Sequence, residues 1–323
     1  MVDRLPRGQA LKVAIAFLCI YLVWGSTFYA IRVGLEHLPP LFLCGIRLLA
    51  AGVMLAVAAW RMRAPWPRGI EWRNAALVGL LLPAIGNGSV TLGETHVPSG
   101  LVALLIASIP MWTALFAASG PDRTPLKPRV VAGLVVGLAG IALLVGPGQM
   151  QGARGSMWWS LIPVLGAMSW AWGTLWSRRV KMPASPLASN AVGMGAGGAV
   201  LLAASLAGGE WSRLTPASFG LVPMAAVAFL AVFGSVVGFT AYLWLLRHVP
   251  PTRVSTYAFV NPVVAITLGA LLAGEPFGGA VALAAGLVVV AVSLIVTAPS
   301  PGKVVQVPGA SGVPRAAAAE PAA

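Results

Sequence analysis

The chain has 323 residues, of which 58% are hydrophobic and only 9% are charged. Soluble globular proteins carry about 25% charged residues, so this composition excludes an ordinary water-soluble domain and indicates a surface that faces lipid. The net charge of +13 does not indicate nucleic-acid binding, because the basic residues lie in short loops between apolar segments and form no basic stripe.

Ten segments are apolar enough to be membrane helices, each of which needs about 20 apolar residues. In the first, the apolar run that follows Arg4, Arg7 and Lys12 is too long for a signal peptide, and no small-residue cleavage site lies behind it. Cys19 and Cys44 lie inside apolar segments, so we interpret them as packing residues and expect no disulfide. The predicted helices are 11–31, 41–60, 74–93, 98–119, 128–147, 157–177, 187–207, 219–246, 254–274 and 277–298.

The positions of Lys and Arg predict the orientation of these helices. With the N-terminus inside, 17 of the 21 basic residues fall in inner loops and tails, and Arg32, Arg154 and Arg213 fall in outer loops. Cytoplasmic loops carry an excess of Lys and Arg. We therefore predict that both termini are cytoplasmic, with 1–10 as an N-terminal segment and 299–323, rich in Pro, Gly and Ala, as a disordered tail.

An internal repeat relates the two halves of the chain. Most matched positions lie 152 residues apart: His96-Val97-Pro98 matches His248-Val249-Pro250, Pro110 matches Pro262, and Gly86 matches Gly238. We also match Trp24-Gly25 with Trp172-Gly173. Each repeat has an odd number of helices, five, so the second repeat (156–298) is predicted to be inverted relative to the first (11–147). Inverted repeats are characteristic of secondary transporters, whose substrate site lies at the repeat interface.

Two prolines, Pro110 and Pro262, interrupt paired helices at membrane depth. A proline removes one helical hydrogen bond and allows a bend. The matched pair therefore predicts hinges or site elements, although proline is also an ordinary residue of membrane helices.

Three stretches, 21–52 (YLVWGSTFYAIRVGLEHLPPLFLCGIRLLAAG), 97–116 (VPSGLVALLIASIPMWTALF) and 255–275 (STYAFVNPVVAITLGALLAGE), carry a family resemblance. Together they resemble the EamA-type branch of the drug/metabolite transporter superfamily, and within it the YedA-like inner-membrane exporters. The resemblance covers about residues 11–298. It implies an all-α membrane fold of ten helices in two inverted repeats, and a carrier that exports small metabolites, amino acids or drugs across the cell inner membrane.

Two charged residues match the family pattern, Arg47 in helix 2 and Glu275 at the end of helix 9. In the first half the acidic position holds Asp122 instead of a glutamate. The small multidrug exporters of the superfamily use a glutamate in their first helix. Because helix 1 has none here, the sequence does not predict proton antiport by that mechanism.

Polar and aromatic residues at membrane depth are the candidates for binding substrate. Residues at i, i+4 and i+7 share a helix face, as do Asn87, Thr91 and Glu94. Glu94 is either a proton-coupling carboxyl or a rim carboxylate in contact with water. The candidate substrate-binding residues are Trp24, Asn87, Thr91, Trp172, Tyr242, Tyr257 and Asn261.

Arg47 stands alone among apolar residues, where a charge is costly and functional by default. It has three possible partners: a substrate carboxylate, Glu94 or Glu36, or carbonyls freed by a bent helix. Its guanidinium stays protonated, so it cannot carry a coupling proton. Of these alternatives we favour structural pairing.

The sequence carries no HExxH pair, Walker loop or nucleophile elbow. We therefore expect a transporter and not an enzyme, with no metal and no cofactor. The expected partners are a small-molecule substrate and the lipid bilayer. An intramembrane lipid-modifying enzyme and a passive metabolite channel are the alternatives, and the sequence predicts no oligomeric state.

Overall fold

The computed structural model describes residues 7–119, 127–145, 156–249, 254, 257–272, 274 and 278–297, and the regular elements in these ranges are helices. Each of the ten predicted segments contains a helix, and we number these α1 to α10. They are α1 Arg7–Leu35, α2 Pro40–Arg61, α3 Ile70–Gly93, α4 Ser99–Ser119, α5 Pro128–Val145, α6 Ser156–Ser177, α7 Pro186–Ala207, α8 Leu221–His248, α9 Tyr257–Leu272 and α10 Gly279–Val296.

Within the described ranges, six helices are long and apolar enough to cross a membrane, namely α1, α2, α3, α4, α7 and α8. On α1, Leu11, Ile15, Leu18 and Leu22 are exposed at helical spacing, so they form one apolar stripe. Such a stripe fits contact with lipid. The predicted all-α membrane fold is confirmed, whereas the count of ten spans stays a prediction. Glu275 and the predicted tail 299–323 lie outside the described residues.

The contact between α2 and α7 shows the two-fold relation of the repeats. A Cβ on Gly52 would lie 2.8 Å from Gly195 N, and a Cβ on Gly198 would lie 2.6 Å from Leu49 N. Gly198 lies 146 residues after Gly52, and Gly195 lies 146 residues after Leu49. The same close contact is therefore made twice, once from each helix, and a pseudo-two-fold axis passes between them. Small residues permit this approach of two backbones.

Helices α3 and α8 each contain a π-helical segment, Leu80–Asn87 and Leu230–Val237. Such segments are rare and are frequent at functional sites. Pro83 lies inside the first segment and cannot donate a backbone hydrogen bond there. Because Gly86 and Gly238 match in the repeat, both halves carry the altered helix at nearly the same position of the repeat.

The two matched prolines differ in their effect on the helix. Helix α4 consists of Ser99–Ile106 and Ile109–Ser119, separated by Ala107 and Ser108. Pro110 has no N–H to offer the carbonyl four residues earlier, which accounts for the interruption. Pro262 lies inside α9 without a break. The predicted interruption is therefore present at Pro110 and absent at Pro262.

A distant glutamate caps the start of α2, which has no side-chain cap of its own. Glu210 is buried, and its carboxylate accepts hydrogen bonds from Leu41 N (3.3 Å), Phe42 N (2.9 Å) and Ser205 Oγ (2.8 Å). A carboxylate at a helix N-terminus satisfies free N–H groups and interacts favourably with the helix dipole. This contact fixes the α7–α8 connection to α2.

Candidate functional site

A cavity lies between the two repeats, about halfway along the helices. Its empty volume, counted with the space that is open to the surroundings, is about 620 Å³. Helices α1, α2, α3, α4, α6, α8 and α9 line it. Most of the lining is apolar or aromatic, and its side chains with polar groups include Thr27, Arg47, Asn87, Ser235 and Asn261. A mainly apolar wall with a few polar groups is typical of a site that orients a small organic ligand.

Two ends of the bundle must be distinguished. We call the end that carries Arg61, Arg178 and Lys181 the basic end, and the opposite end the far end. At the basic end, Lys181 Nζ lies 3.1 Å from Glu71 Oε1, and Asn74 Nδ2 donates to Lys181 O at 2.9 Å. These contacts join the α6–α7 connection to the start of α3.

A layer of five aromatic side chains bounds the cavity towards the basic end. This aromatic layer consists of Trp24, Trp170, Phe239, Tyr242 and Tyr257. Its contacting rings have centroids 4.9 to 6.2 Å apart, with several edge-to-face pairs, the range in which aromatic contacts are favourable. Beyond the layer lies a second pocket, with an empty volume of about 1010 Å³, lined by Arg178, Asn190 and Tyr242 among others.

Two tryptophan–glycine contacts hold the aromatic layer. The indole Nε1 of Trp24 donates to Gly234 O at 3.0 Å, and a Cβ on Gly238 would overlap that indole. In the other half, a Cβ on Gly86 would lie 2.7 Å from Cε3 of Trp170. Because Gly86 matches Gly238 in the repeat, the same contact occurs once in each half. Each tryptophan therefore packs on the π-helical region of the opposite repeat.

Towards the far end, a buried apolar cluster bounds the cavity. It consists of Phe28, Ile31, Leu38, Phe42, Leu43, Val90, Val97, Val102, Ala103, Val227, Leu230 and Ala265. Phe28, Ile31 and Val90 belong both to this cluster and to the cavity wall. The cavity therefore lies between a packed apolar layer at one end and the aromatic layer at the other.

Four of the sequence-predicted binding residues line the cavity: Trp24, Asn87, Tyr257 and Asn261. In the orientation that satisfies both ends of its side chain, the Asn261 amide nitrogen donates to Tyr257 O and Tyr21 O, at 3.2 Å each. These bonds tie α9 to α1 at the level of the cavity.

The other predicted binding residues lie elsewhere. Thr91 is buried and donates to Asn87 O at 2.9 Å, but it does not line the cavity. Tyr242 lies on the side of the aromatic layer that faces the basic end, where it lines the second pocket. Trp172 is 49% exposed and contacts Phe116, with ring centroids 5.7 Å apart. The cavity position assigned to Trp172 is occupied by Trp170, which is 7% exposed.

Trp170 and Phe239 are cavity residues that the sequence argument missed. The dipeptide Trp172-Gly173 suggested an offset of 148 for the first helix pair, whereas Trp24 and Trp170 are 146 residues apart. The same offset of 146 relates Gly52 to Gly198 and Pro40 to Pro186. Aligning α2 with α7 on these residues would therefore have matched Trp24 with Trp170.

Glu94 lies outside the cavity, at the far end of α3. Glu94 is fully buried, and it lines a separate pocket together with Arg32, Glu36 and His37. Nη1 of Arg32 donates to Glu94 O at 3.4 Å. Among the residues described here, no cluster of three or more His, Cys, Asp or Glu is arranged to hold a metal ion.

Arg47 enters the cavity from α2. It is only 3% exposed, and its Nε is buried without a hydrogen-bond partner. No salt bridge between Arg47 and a carboxylate is present among the described residues. An ion pair with a carboxylate, which is one form of the structural pairing favoured from the sequence, is therefore not seen among these residues.

An apolar cavity between two inverted repeats of membrane helices defines a membrane transporter for small molecules. Comparison with known proteins gives the family. The chain belongs to the EamA-like transporter family, whose sequence profile matches residues 11–146 and 157–297. This is a family of transporters and not of enzymes, as the sequence predicted.

Relatives extend this finding over most of the chain. The inner membrane transporter YedA of Escherichia coli (strain K12) is 39% identical over 288 residues, covering 89% of this chain and 91% of the relative. A probable amino-acid metabolite efflux pump of Salmonella typhimurium is 26% identical over 284 residues, covering 84% and 91%. One crystal structure matches with a TM-score of 0.62 at 19% identity, covering 88% of this chain and 96% of that one, which supports the fold.

Proposed function

We propose that this protein is an alternating-access carrier that exports small metabolites, amino acids or related compounds, across the inner membrane. The observation that carries the proposal is the cavity between the repeats, bounded by the apolar cluster at one end and the aromatic layer at the other. A carrier needs a site between two barriers, so that it can expose the site to each side of the membrane in turn.

The duplicated contacts support alternation between two related conformations. Trp24 packs on α8 and Trp170 packs on α3, in repeat-related positions. Moving one repeat relative to the other changes both contacts together, so a single motion can open the aromatic layer. Opening the aromatic layer would join the cavity to the second pocket, which Arg178 lines.

The predicted orientation and the named relatives support export as the direction of transport. The excess of Lys and Arg in the loops of the basic end favours a cytoplasmic position for that end and for both termini. The second pocket would then face the cytoplasm and admit substrate for export. The relative named as a probable amino-acid metabolite efflux pump supports export of amino acids or their derivatives.

A pair of tryptophan variants tests the site. Purified protein in liposomes loaded with L-phenylalanine should take up labelled L-phenylalanine by counterflow. Trp170→Ala should reduce this uptake at least tenfold, because Trp170 is buried in the cavity wall, whereas Trp172→Ala should leave it near wild type, because Trp172 is half exposed away from the cavity. Equal effects of the two variants would contradict the assignment of the site.

The same assay separates a carrier from a channel. A carrier exchanges substrate across the membrane, so uptake should rise when unlabelled substrate is inside the liposomes. A passive channel would show no such stimulation.

Glu94 stays a candidate for proton coupling, because its carboxyl is fully buried in the far-end pocket with Arg32, Glu36 and His37. Stimulation of export by an inward proton gradient should vanish in Glu94→Gln and persist in Glu36→Gln, whose carboxyl is exposed. Stimulation that survives in Glu94→Gln would exclude this residue as the coupling site.

A further inference from the structure

We propose that Arg47 is the anion-binding group of the cavity, and that the substrate is a small organic carboxylate with an apolar or aromatic body. This inference rests on the proposed function, because it assigns the ligand of the same cavity. It gives the carboxylate the main role in recognition and requires no amino group on the ligand.

The first argument is the environment of the guanidinium. Arg47 is 3% exposed and lines the cavity, and Nε has no hydrogen-bond partner. A buried, unpaired charge is costly, and so is a buried donor left without an acceptor. An anion in the cavity would remove both costs. A carboxylate fits best, because its two oxygens match the fork of the guanidinium.

The second argument is the charge of the lining. None of the described residues that line the cavity is Asp or Glu, and the same holds for the second pocket, where Arg178 is the charged residue. A path lined by one sign of charge concentrates ligands of the opposite sign. Both compartments on the route from the basic end therefore favour an anion over a cation.

The third argument is the shape of the wall around Arg47. Aromatic faces from Trp24, Trp170 and Phe239, with Phe28 and Ile109, form much of the remaining surface. They offer apolar contact and ring stacking to a ligand body. Asn87 adds one amide beside this surface. The arrangement suits a molecule with a charged end at α2 and an apolar end against the aromatic layer.

Three matched probes test the chemistry of recognition by calorimetric titration of the purified full-length protein. They are 3-phenylpropionate, which has the ring and the carboxylate, L-phenylalanine, which adds an amino group, and phenethylamine, which has the ring and the amine alone. Both carboxylates should bind the wild type, and phenethylamine should bind at least tenfold more weakly. Tighter binding of the amine than of 3-phenylpropionate would overturn the proposal.

Variants of Arg47 locate the binding group. Loss of a charge-assisted hydrogen bond corresponds to about a tenfold or larger increase in Kd. Arg47→Gln should raise the Kd of 3-phenylpropionate by at least this factor, and the exposed Arg213→Gln should leave it unchanged. Arg47→Lys keeps the charge but loses the bidentate fork, so this variant should bind 3-phenylpropionate several-fold more weakly than the wild type does. An unchanged Kd in a folded Arg47→Gln, or in Arg47→Lys, would refute the role.

The carrier function and the anion site can each be refuted without the other. If 3-phenylpropionate binds through Arg47 but neither carboxylate shows counterflow in liposomes, the carrier function is wrong and the anion site stands. If L-phenylalanine is exchanged with the same KM in wild type and Arg47→Gln, the carrier function stands and the anion site is wrong.

Discussion

The two repeats share a framework and differ in the side chains that face the substrate path. The tryptophan–glycine contacts and the α2–α7 glycine contacts occur in both halves. At the offset that relates these helices, however, Arg47 on α2 corresponds to Gly193 on α7. Arg47 points a charge into the cavity, whereas Gly193 packs directly on Gly79 of α3 and lines the second pocket.

The same asymmetry appears on α3 and α8, and on α4 and α9. Asn87 corresponds to Phe239, and Ile109 corresponds to Asn261, and all four line the cavity. The difference shows that the repeated contacts and the ligand contacts serve separate purposes. Two related conformations require matching backbone contacts in both halves, while orienting one asymmetric ligand requires unmatched side chains.

The largest effect should come from filling the close contact that Gly193 makes. Gly79→Ala would place a Cβ on the backbone of Gly193, which cannot move aside as a flexible side chain can. Overpacking costs about 1–3 kcal/mol or more, and we expect the upper end of this range and a marked loss of folded protein. Gly195→Ala is the control, because an added Cβ there meets nothing within 4 Å. Size-exclusion chromatography of the two variants measures the difference.

The next effect tests whether the tryptophan–glycine contacts are equivalent. Gly238→Ala and Gly86→Ala would each displace the indole that packs on the glycine, Trp24 or Trp170. We expect both proteins to fold and both to lose transport by about tenfold, since displacement in a packed site costs about 1–3 kcal/mol. A loss in one variant alone, measured by counterflow, would show that the two halves do not move as equivalent partners.

A smaller effect is expected at the N-termini of α2 and α7, the second helices of the two repeats. Glu210 caps α2 from a distant turn, whereas α7 is capped by its own Ser185, whose Oγ accepts from Ala188 N at 3.3 Å. Glu210→Gln should lower thermal stability by the equivalent of about 1 kcal/mol. Ser185→Ala should cost less, because it removes one long hydrogen bond to a neighbouring residue. The order of the two melting temperatures checks this, and a reversed order would contradict it.

The smallest effect concerns the stability contributed by Arg47. Arg47→Met keeps the apolar stem and removes a buried charge that has no described carboxylate partner. A buried charge without a partner is costly, so the melting temperature without ligand should stay the same or rise slightly. A clear fall would return Arg47 to the structural role that the sequence alone suggested.

The sequence by itself determined the fold class and the outline of the site. Apolar runs of about 20 residues can satisfy their backbone hydrogen bonds only as helices in lipid, so an all-α membrane protein followed from composition and segment length. The matched motifs then revealed the repeat, and with it the interface where Trp24, Asn87, Tyr257 and Asn261 meet. These residues were identified because polar and aromatic groups at membrane depth are few.

Only the tertiary structure decided which members of a helix face reach the cavity. Trp170 and Trp172 lie on one helix two residues apart, and their sequence context does not separate them, yet a two-residue step turns a side chain by more than half a turn. Asn87, at the end of the first π-helical segment, lines the cavity, whereas Thr91, four residues later, does not. Whether Arg47 meets a carboxylate of the chain or an open cavity depends on how distant helices pack, and this is a property of their three-dimensional arrangement.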